Sequence, residues 1–225
     1  MGIDRRDFLS SLGLGELAEL GALGSVRSFD RGRALFHEAQ IADSVFVLRS
    51  GIVKVTSTTP TGREVVLAFR GVGELVGDLA ALDGEPRSAT IRAVERVEAL
   101  RLTTQAFLGF LEDRPAVALV LLRMLATRLR DADAKRIEFS TFTTIERVAV
   151  RLLEFSERFG REEDSGAVRI SLPLSQEELA GATGASLESI GRALQTMRAL
   201  RCVETRRREI RILDRRGLAA LCSGA

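Results

Sequence analysis

Three stretches of different hydrophobic period follow one another along the chain. Over residues 7–23 the apolar positions Phe8, Leu9, Leu12, Leu17 and Leu20 recur at helical spacing, broken at Gly13 and Gly15, which predicts one or two short helices. Over residues 26–102 the pattern shortens. Residues 44–49 and 51–55 read as strands joined around Ser50-Gly51, residues 59–63 (TPTGR) as a turn, and residues 64–69, 89–94 and 97–102 as further strands. Many short strands at close spacing predict an all-β barrel or sandwich.

Beyond Thr104 the period becomes helical again. Pro115 suits the first turn of a long helix, because its fixed φ is already helical. That helix carries Leu122, Leu125, Leu129, Ala132, Arg136 and Phe139 at spacings of three and four. Such a stripe must be covered, either by the chain's own β domain or by a second copy in a short coiled coil. Ala132 and Arg136 weaken the seam, so the helix alone is not expected to hold a dimer. A second helix is expected over residues 145–159, with Val148, Leu152, Leu153 and Phe155, stopping at Gly160.

The last third carries the most informative pattern. Ser175-Gln176-Glu177-Glu178 is a capping box that starts a helix, and Thr183-Gly184-Ala185 ends it. Ser186 caps a second helix through Leu187, Ile190, Leu194, Met197 and Leu200. Two short helices around a glycine-bearing turn describe a helix-turn-helix. Residues 203–205 and 209–213 then alternate around Arg206-Arg207-Arg208, as a two-stranded wing does. In the DNA-reading geometry the start of the second helix faces base edges, which nominates Glu188, Ser189 and Arg192. Arginine can donate two hydrogen bonds to guanine and glutamate can accept from cytosine.

Composition narrows the picture without changing it. A net charge of +2 over 225 residues identifies no partner, but Arg192, Arg198, Arg201, Arg206, Arg207, Arg208, Arg211, Arg215 and Arg216 crowd the C-terminal end. A local basic field of this kind suits phosphate contact. No stretch is long and apolar enough for a membrane helix and the start of the chain is a poor signal peptide, so a cytoplasmic location and no membrane partner are expected. Cys202, Cys222 and the single histidine, His37, make no structural zinc or four-cysteine cluster set. No metal site is expected. One histidine supports no Ser/His/Asp or Cys/His set and no phosphate-loop or dinucleotide fingerprint is present, so an enzyme is not expected.

Four segments together resemble the cyclic-AMP receptor protein/FNR (Crp/Fnr) superfamily of bacterial transcription regulators over nearly the whole chain. They are VFVLRSGIVKV (45–55), GELVGDLAALDGEPRSA (73–89), IERVAVRLLEF (145–155) and LSQEELAGATGASLESIGRALQTMRAL (174–200). The resemblance implies an α+β chain: a cyclic-nucleotide-binding-type β-roll over residues 1–112, a long dimerisation helix over 113–140 and a winged helix-turn-helix over 141–225. It implies a homodimer on a near-palindromic double-stranded DNA site and, for an activator, contact with RNA polymerase.

In cyclic-nucleotide-binding relatives the second segment is a phosphate-binding cassette. By that likeness Arg87 and Ser88 match the arginine and hydroxyl that hold the cyclic phosphate, and Ala89 follows. Spacing to the arginine places Asp78, in Gly77-Asp78-Leu79, rather than Glu74, at the position that holds the ribose hydroxyl. Ala132 and Asp133 match the base-contacting pair of the long helix, in place of two small polar residues. A cyclic nucleotide (cyclic AMP or another) or a different anion is one expected effector; an effector-independent regulator is the alternative. A second alternative is a cyclic-nucleotide-type module acting through protein contacts, against which the helix-turn-helix speaks. The resemblance also places Ser175, Gln176, Ser186, Leu187, Glu188, Ser189, Arg192 and Arg206 to Arg208 on the DNA face. Leu187 stands where receptor-type members carry an arginine, so the half-site is expected to differ at one outer position, where a leucine can meet a thymine methyl.

Overall fold

The computed structural model describes residues 7–62 and 64–222. Arg63, at the end of the expected 59–63 turn, lies outside them. The chain divides into two compact units, Met1–Ala132 and Asp133–Ala225.

The first unit begins with a 3-10 turn, Leu9–Ser11, and helix α1, Leu14–Ala22. Eight strands follow: β1 Ser25–Phe29, β2 Ala34–Phe36, β3 Ser44–Ser50, β4 Val53–Thr58, β5 Glu64–Arg70, β6 Leu75–Val76, β7 Thr90–Ala93 and β8 Val97–Thr103. Helix α2, Asp78–Asp83, sits between β6 and β7; α3, Thr104–Glu112, and α4, Pro115–Thr141, follow β8. The strands form two four-stranded antiparallel sheets, ordered β1-β8-β3-β6 and β2-β7-β4-β5.

The run VFVL in β3 shows why the sheets stack as they do. Its five leading residues are all buried, so both faces of the strand are covered. Phe46 and Leu48 point between the sheets, with Phe36, Val53, Ile91 and Val97. Val45 and Val47 point the other way, onto Phe8, Phe107, Phe110, Leu121 and Met124 of the helical layer. Phe46 also packs edge-on against Phe29, centroids 5.9 Å apart.

The two strands expected around Ser50-Gly51 do flank that corner, yet they lie in different sheets. Gly51 turns the chain at φ +78°, and a Cβ there would stand 2.4 Å from the Arg96 carbonyl oxygen. Only glycine passes between the sheets at this point. Strands β1, β2 and β6 and helix α2 are not resolved by periodicity, because β1 is exposed on almost every residue and the others are very short; the nine-residue α3 is missed as well.

Helix α4 carries two faces. Val117, Leu121 and Met124 are buried on the β-roll, while the stripe picked out by periodicity is largely uncovered: Leu122 is 59% and Leu129 64% exposed. Ala132 and Arg136 are exposed too. Of the stripe residues, Leu125 alone packs in part against the β-roll core, and Leu122 and Leu129 lie outside it. The helix ends where the Ser140 and Thr141 hydroxyls both donate to the Ile137 carbonyl, each at 2.8 Å.

In the second unit, α5, Thr144–Phe159, opens on a Thr143/Glu146 box and stops at Gly160. Gly160 is extended rather than left-handed, because the chain runs straight into strand β9, Gly160–Glu162. Strand β10, Val168–Ile170, then pairs with β9, so the polar 161–166 segment gives its first two residues to β9 and the rest to the turn of a hairpin. Helices α6, Gln176–Thr183, and α7, Leu187–Ala199, and strands β11, Val203–Arg206, and β12, Glu209–Ile212, follow, closed by α8, Arg215–Ala220. The sheet order is β11-β12-β10-β9.

Candidate nucleic-acid interface and effector cassette

Each end of the α6–α7 pair is built by the residues the sequence offers for it. The Ser175 hydroxyl accepts from the Glu178 amide at 3.1 Å and the Glu178 carboxylate accepts from the Ser175 amide at 2.9 Å, the reciprocal bonds of a capping box. Gly184 closes α6 at φ +62°, and the Ser186 hydroxyl takes the Ser189 amide at 3.2 Å to open α7. Ile190, Ala193, Leu194 and Met197 are buried, at the i, i+3, i+4, i+7 spacing of one face. The opposite face presents Leu187, Glu188 and Arg192, all exposed, with Glu188 and Arg192 paired at 3.2 Å.

A groove of about 530 Å³ runs between this pair and the wing, lined among others by Ser175, Gln176, Leu187, Arg206, Arg207 and Arg208. The structure thus brings most of the expected DNA-facing residues to one surface. Arg208 takes φ +58° at the tip of the wing. The basic field is smaller than the arginine count suggests. Arg211 is held between Glu163 and Glu204, Arg215 pairs with Glu157, Arg198 donates to Thr205 and Arg206 reaches Glu204 at 3.3 Å. Arg207 and Arg208 are exposed at the wing tip and free to meet phosphate.

In the β-roll, Arg87 is 3% exposed. Its guanidinium donates to the carbonyls of Gly77 (2.9 Å) and Ser44 (2.5 Å) and lies over the Phe36 ring at 4.1 Å. Burial pushes its pKa below the ordinary arginine value. The nearest carboxylate, Asp43, is 3.8 Å away and 72% exposed, and it also pairs with Arg101. Arg87 Nε is buried without an acceptor. Gly77 leaves the guanidinium its place: at φ +82°, a Cβ there would stand 2.6 Å from Nη1. A buried cation with an unmet donor, followed in sequence by the exposed Ser88, is chemistry suited to an anion such as a cyclic phosphate. Leu79 is 47% exposed on α2 and Ala89 is buried.

Asp78 and Glu74 part company. Glu74 accepts from the Gly71 amide at 2.7 Å and pairs with Arg70, so it builds its own turn. Asp78 is 3% exposed and accepts from Arg128 of α4 at 2.7 Å, while Arg128 also donates to the Leu75 carbonyl. Sequence reading passed over Arg128, whose only signal was a cation one turn before Ala132. Ala132 and Asp133 are exposed and fall on either side of the unit division. Burial and Asp214 raise the Cys202 thiol above its ordinary value, and burial, Glu146 and Glu138 raise that of Cys222. Among the described residues no group of three or more His, Cys, Asp or Glu could hold a metal, and no helix is long and apolar enough to cross a membrane.

A β-roll with an arginine-bearing cassette, joined through a long helix to a winged helix-turn-helix, defines an effector-domain transcription regulator. Residues 26–114 match the cyclic nucleotide-binding domain model and residues 146–221 the Crp-like helix-turn-helix model. The chain is 35% identical over 166 residues, 74% of each protein, to a CRP-like cAMP-activated global transcriptional regulator of Mycobacterium tuberculosis. It is 30% identical to the transcriptional activator protein FnrA of Stutzerimonas stutzeri, over 88% of this chain and 81% of the relative. Its fold matches that of FixK2 from Bradyrhizobium japonicum, with a TM-score of 0.78 at 23% identity over 90% of this chain and 98% of that one. The chain belongs to the Crp/Fnr family of DNA-binding transcription regulators.

Proposed function

We propose that the protein is a cytoplasmic homodimer that reads a near-palindromic double-stranded site through α7 and is gated by a small anion of the cyclic-nucleotide type. The exposed stripe of α4, with Leu122 and Leu129, is the face a second copy covers. Two α7 helices related by a two-fold axis then enter successive major grooves about 34 Å apart. Glu188, Ser189 and Arg192 read base edges, with Leu187 at the outer position, and Ser175, Gln176, Ser186 and Arg206 to Arg208 hold phosphates. RNA polymerase is the further partner if bound protein activates.

Arg87 and Ser88 would hold the effector's phosphate, with Gly77, Leu79 and Ala89 shaping the cassette, Asp78 meeting a ribose hydroxyl and Ala132 and Asp133 facing the base. The carrying observation is the buried Arg87 guanidinium with its unmet Nε. The likeness to a relative named for activation by cyclic AMP supports the same reading.

One observation favours an effector-independent regulator instead: Arg87 already bonds two carbonyls and Asp78 is already closed on Arg128. Calorimetric titration with cyclic AMP and cyclic GMP separates the readings. Micromolar binding lost in Arg87→Ala supports the gated regulator, and absence of heat with both nucleotides, alongside intact site-specific DNA binding, supports the independent one. Sequencing the DNA fragments the purified protein selects tests the regulator itself.

A further inference from the structure

The end of α4 makes two contacts that belong neither to the DNA face nor to the cassette. From Leu129 to Ile137 no residue of the helix is buried. Glu138, half-buried, is nonetheless tied down. Its carboxylate accepts both of its bonds from Arg151 Nη2 of α5, at 2.6 and 2.8 Å, and Arg151 is only 6% exposed and also pairs with Glu154. One residue on, the Phe139 ring lies against Gly184, so close that a Cβ at 184 would stand 2.7 Å from it. Gly184 is the left-handed residue between α6 and α7, and so sets their mutual angle. Arg147 of α5 stands over the same ring, 5.8 Å from its centroid, while its Nη1 holds the Phe142 carbonyl.

Neither contact is explained by stability alone. Phe139 stays 48% exposed, which is not how a core aromatic sits. A buried arginine–carboxylate pair adds little over apolar packing of the same volume, but it holds one geometry. We infer that Glu138 and Phe139 form a latch that makes the last turn of α4 part of the DNA-reading unit, with Phe139 the positioning residue for the turn between α6 and α7.

The long helix runs through both units, held on the β-roll by Val117, Leu121, Met124 and Arg128 and in the DNA-reading unit by Glu138 and Phe139. Within the DNA-reading unit the Phe139 ring is therefore placed to fix the turn that presents α7. The inference rests on reading α6–α7 as the DNA reader.

The test is fluorescence anisotropy of the full-length protein on a labelled duplex carrying its selected site and on a scrambled duplex. Phe139→Ala is expected to weaken the selected site about ten-fold, within the range of ordinary coupling energies. Binding to the scrambled duplex and its salt dependence should stay at the wild-type level, because the wing arginines are untouched. Phe139→Leu, which keeps an apolar contact on Gly184, should recover most of the loss. Glu138→Gln, nearly isosteric, should lose a few-fold on the selected site alone, and it carries the test if Phe139→Ala fails to fold. Unchanged selectivity in folded Glu138→Gln and Phe139→Ala overturns the latch, as does a parallel loss on both duplexes. A wild-type protein that selects no site overturns the DNA-reading assignment instead.

Discussion

The pair between Asp78 and Arg128 gives the sharpest test of how the cassette is held to α4. The side chains are 4% and 15% exposed, and the bond is 2.7 Å. Arg128→Met keeps most of the stem volume but leaves a buried carboxylate without its cation, which costs about 3 kcal/mol. Asp78→Asn leaves the guanidinium with the Leu75 carbonyl and a neutral amide, and should cost about 2 kcal/mol. If the pair is a unit, the double variant loses about 3 kcal/mol rather than about 5, a coupling of about 2 kcal/mol. The unit ending at Ala132 unfolds with roughly 0.28 kcal/mol/K of entropy, so 3 kcal/mol lowers its midpoint by about 11 °C. Calorimetry is the assay, since the chain has no Trp or Tyr for fluorescence. Losses that add within about 0.5 kcal/mol would refute the idea that the two charges are worth more together than apart.

Ala39 takes φ +64°, a conformation costly for any residue with a Cβ. Ala39→Gly should therefore raise stability by about 0.5–1 kcal/mol, net of the extra chain entropy glycine brings, read as a higher β-roll midpoint. Neutralising Arg207 and Arg208 together should weaken binding to all duplexes and reduce the log–log salt slope by about 2, whereas Arg211→Gln should leave that slope unchanged because Glu163 and Glu204 already hold it. Replacing thymine by uracil across the selected half-site should weaken wild type at one outer position, and Leu187→Ala should abolish that sensitivity; equal sensitivity in both would displace Leu187 from the base-reading set. The Thr143 hydroxyl and amide hold the Glu146 carboxyl below its ordinary 4.5, and Arg211 holds Glu204 below it. A lowered folded-state value contributes stability that is present above the unfolded value and lost as pH falls through the folded one. The difference in thermal midpoint between wild type and Glu146→Gln should thus be constant above about pH 5 and shrink below about pH 4.

Local patterns and tertiary structure made separable contributions. The capping boxes at Ser175 and Thr143, the serine cap at Ser186, Gly184 between its helices and the wing turn at Arg207-Arg208 are set by residues within four positions of one another. Their bonds form wherever the segment goes, so the helix-turn-helix was legible in the sequence. The α4 stripe was legible as a stripe too, but a 3.6-residue period cannot say which face meets the β-roll; Val117, Leu121 and Met124 took that place and left Leu122 and Leu129 outside.

Only the tertiary structure decided what the charged residues do. Arg87 meets Ser44 across 43 positions, Asp78 meets Arg128 across 50, and Arg211 meets Glu163 across 48. Charge carries no periodicity, and an arginine that holds a carboxylate reads the same in sequence as one that meets phosphate. The chain alone determined the capped helix pair and its wing. Folding decided which arginines stay exposed at the wing tip, and which instead hold carboxylates and carbonyls.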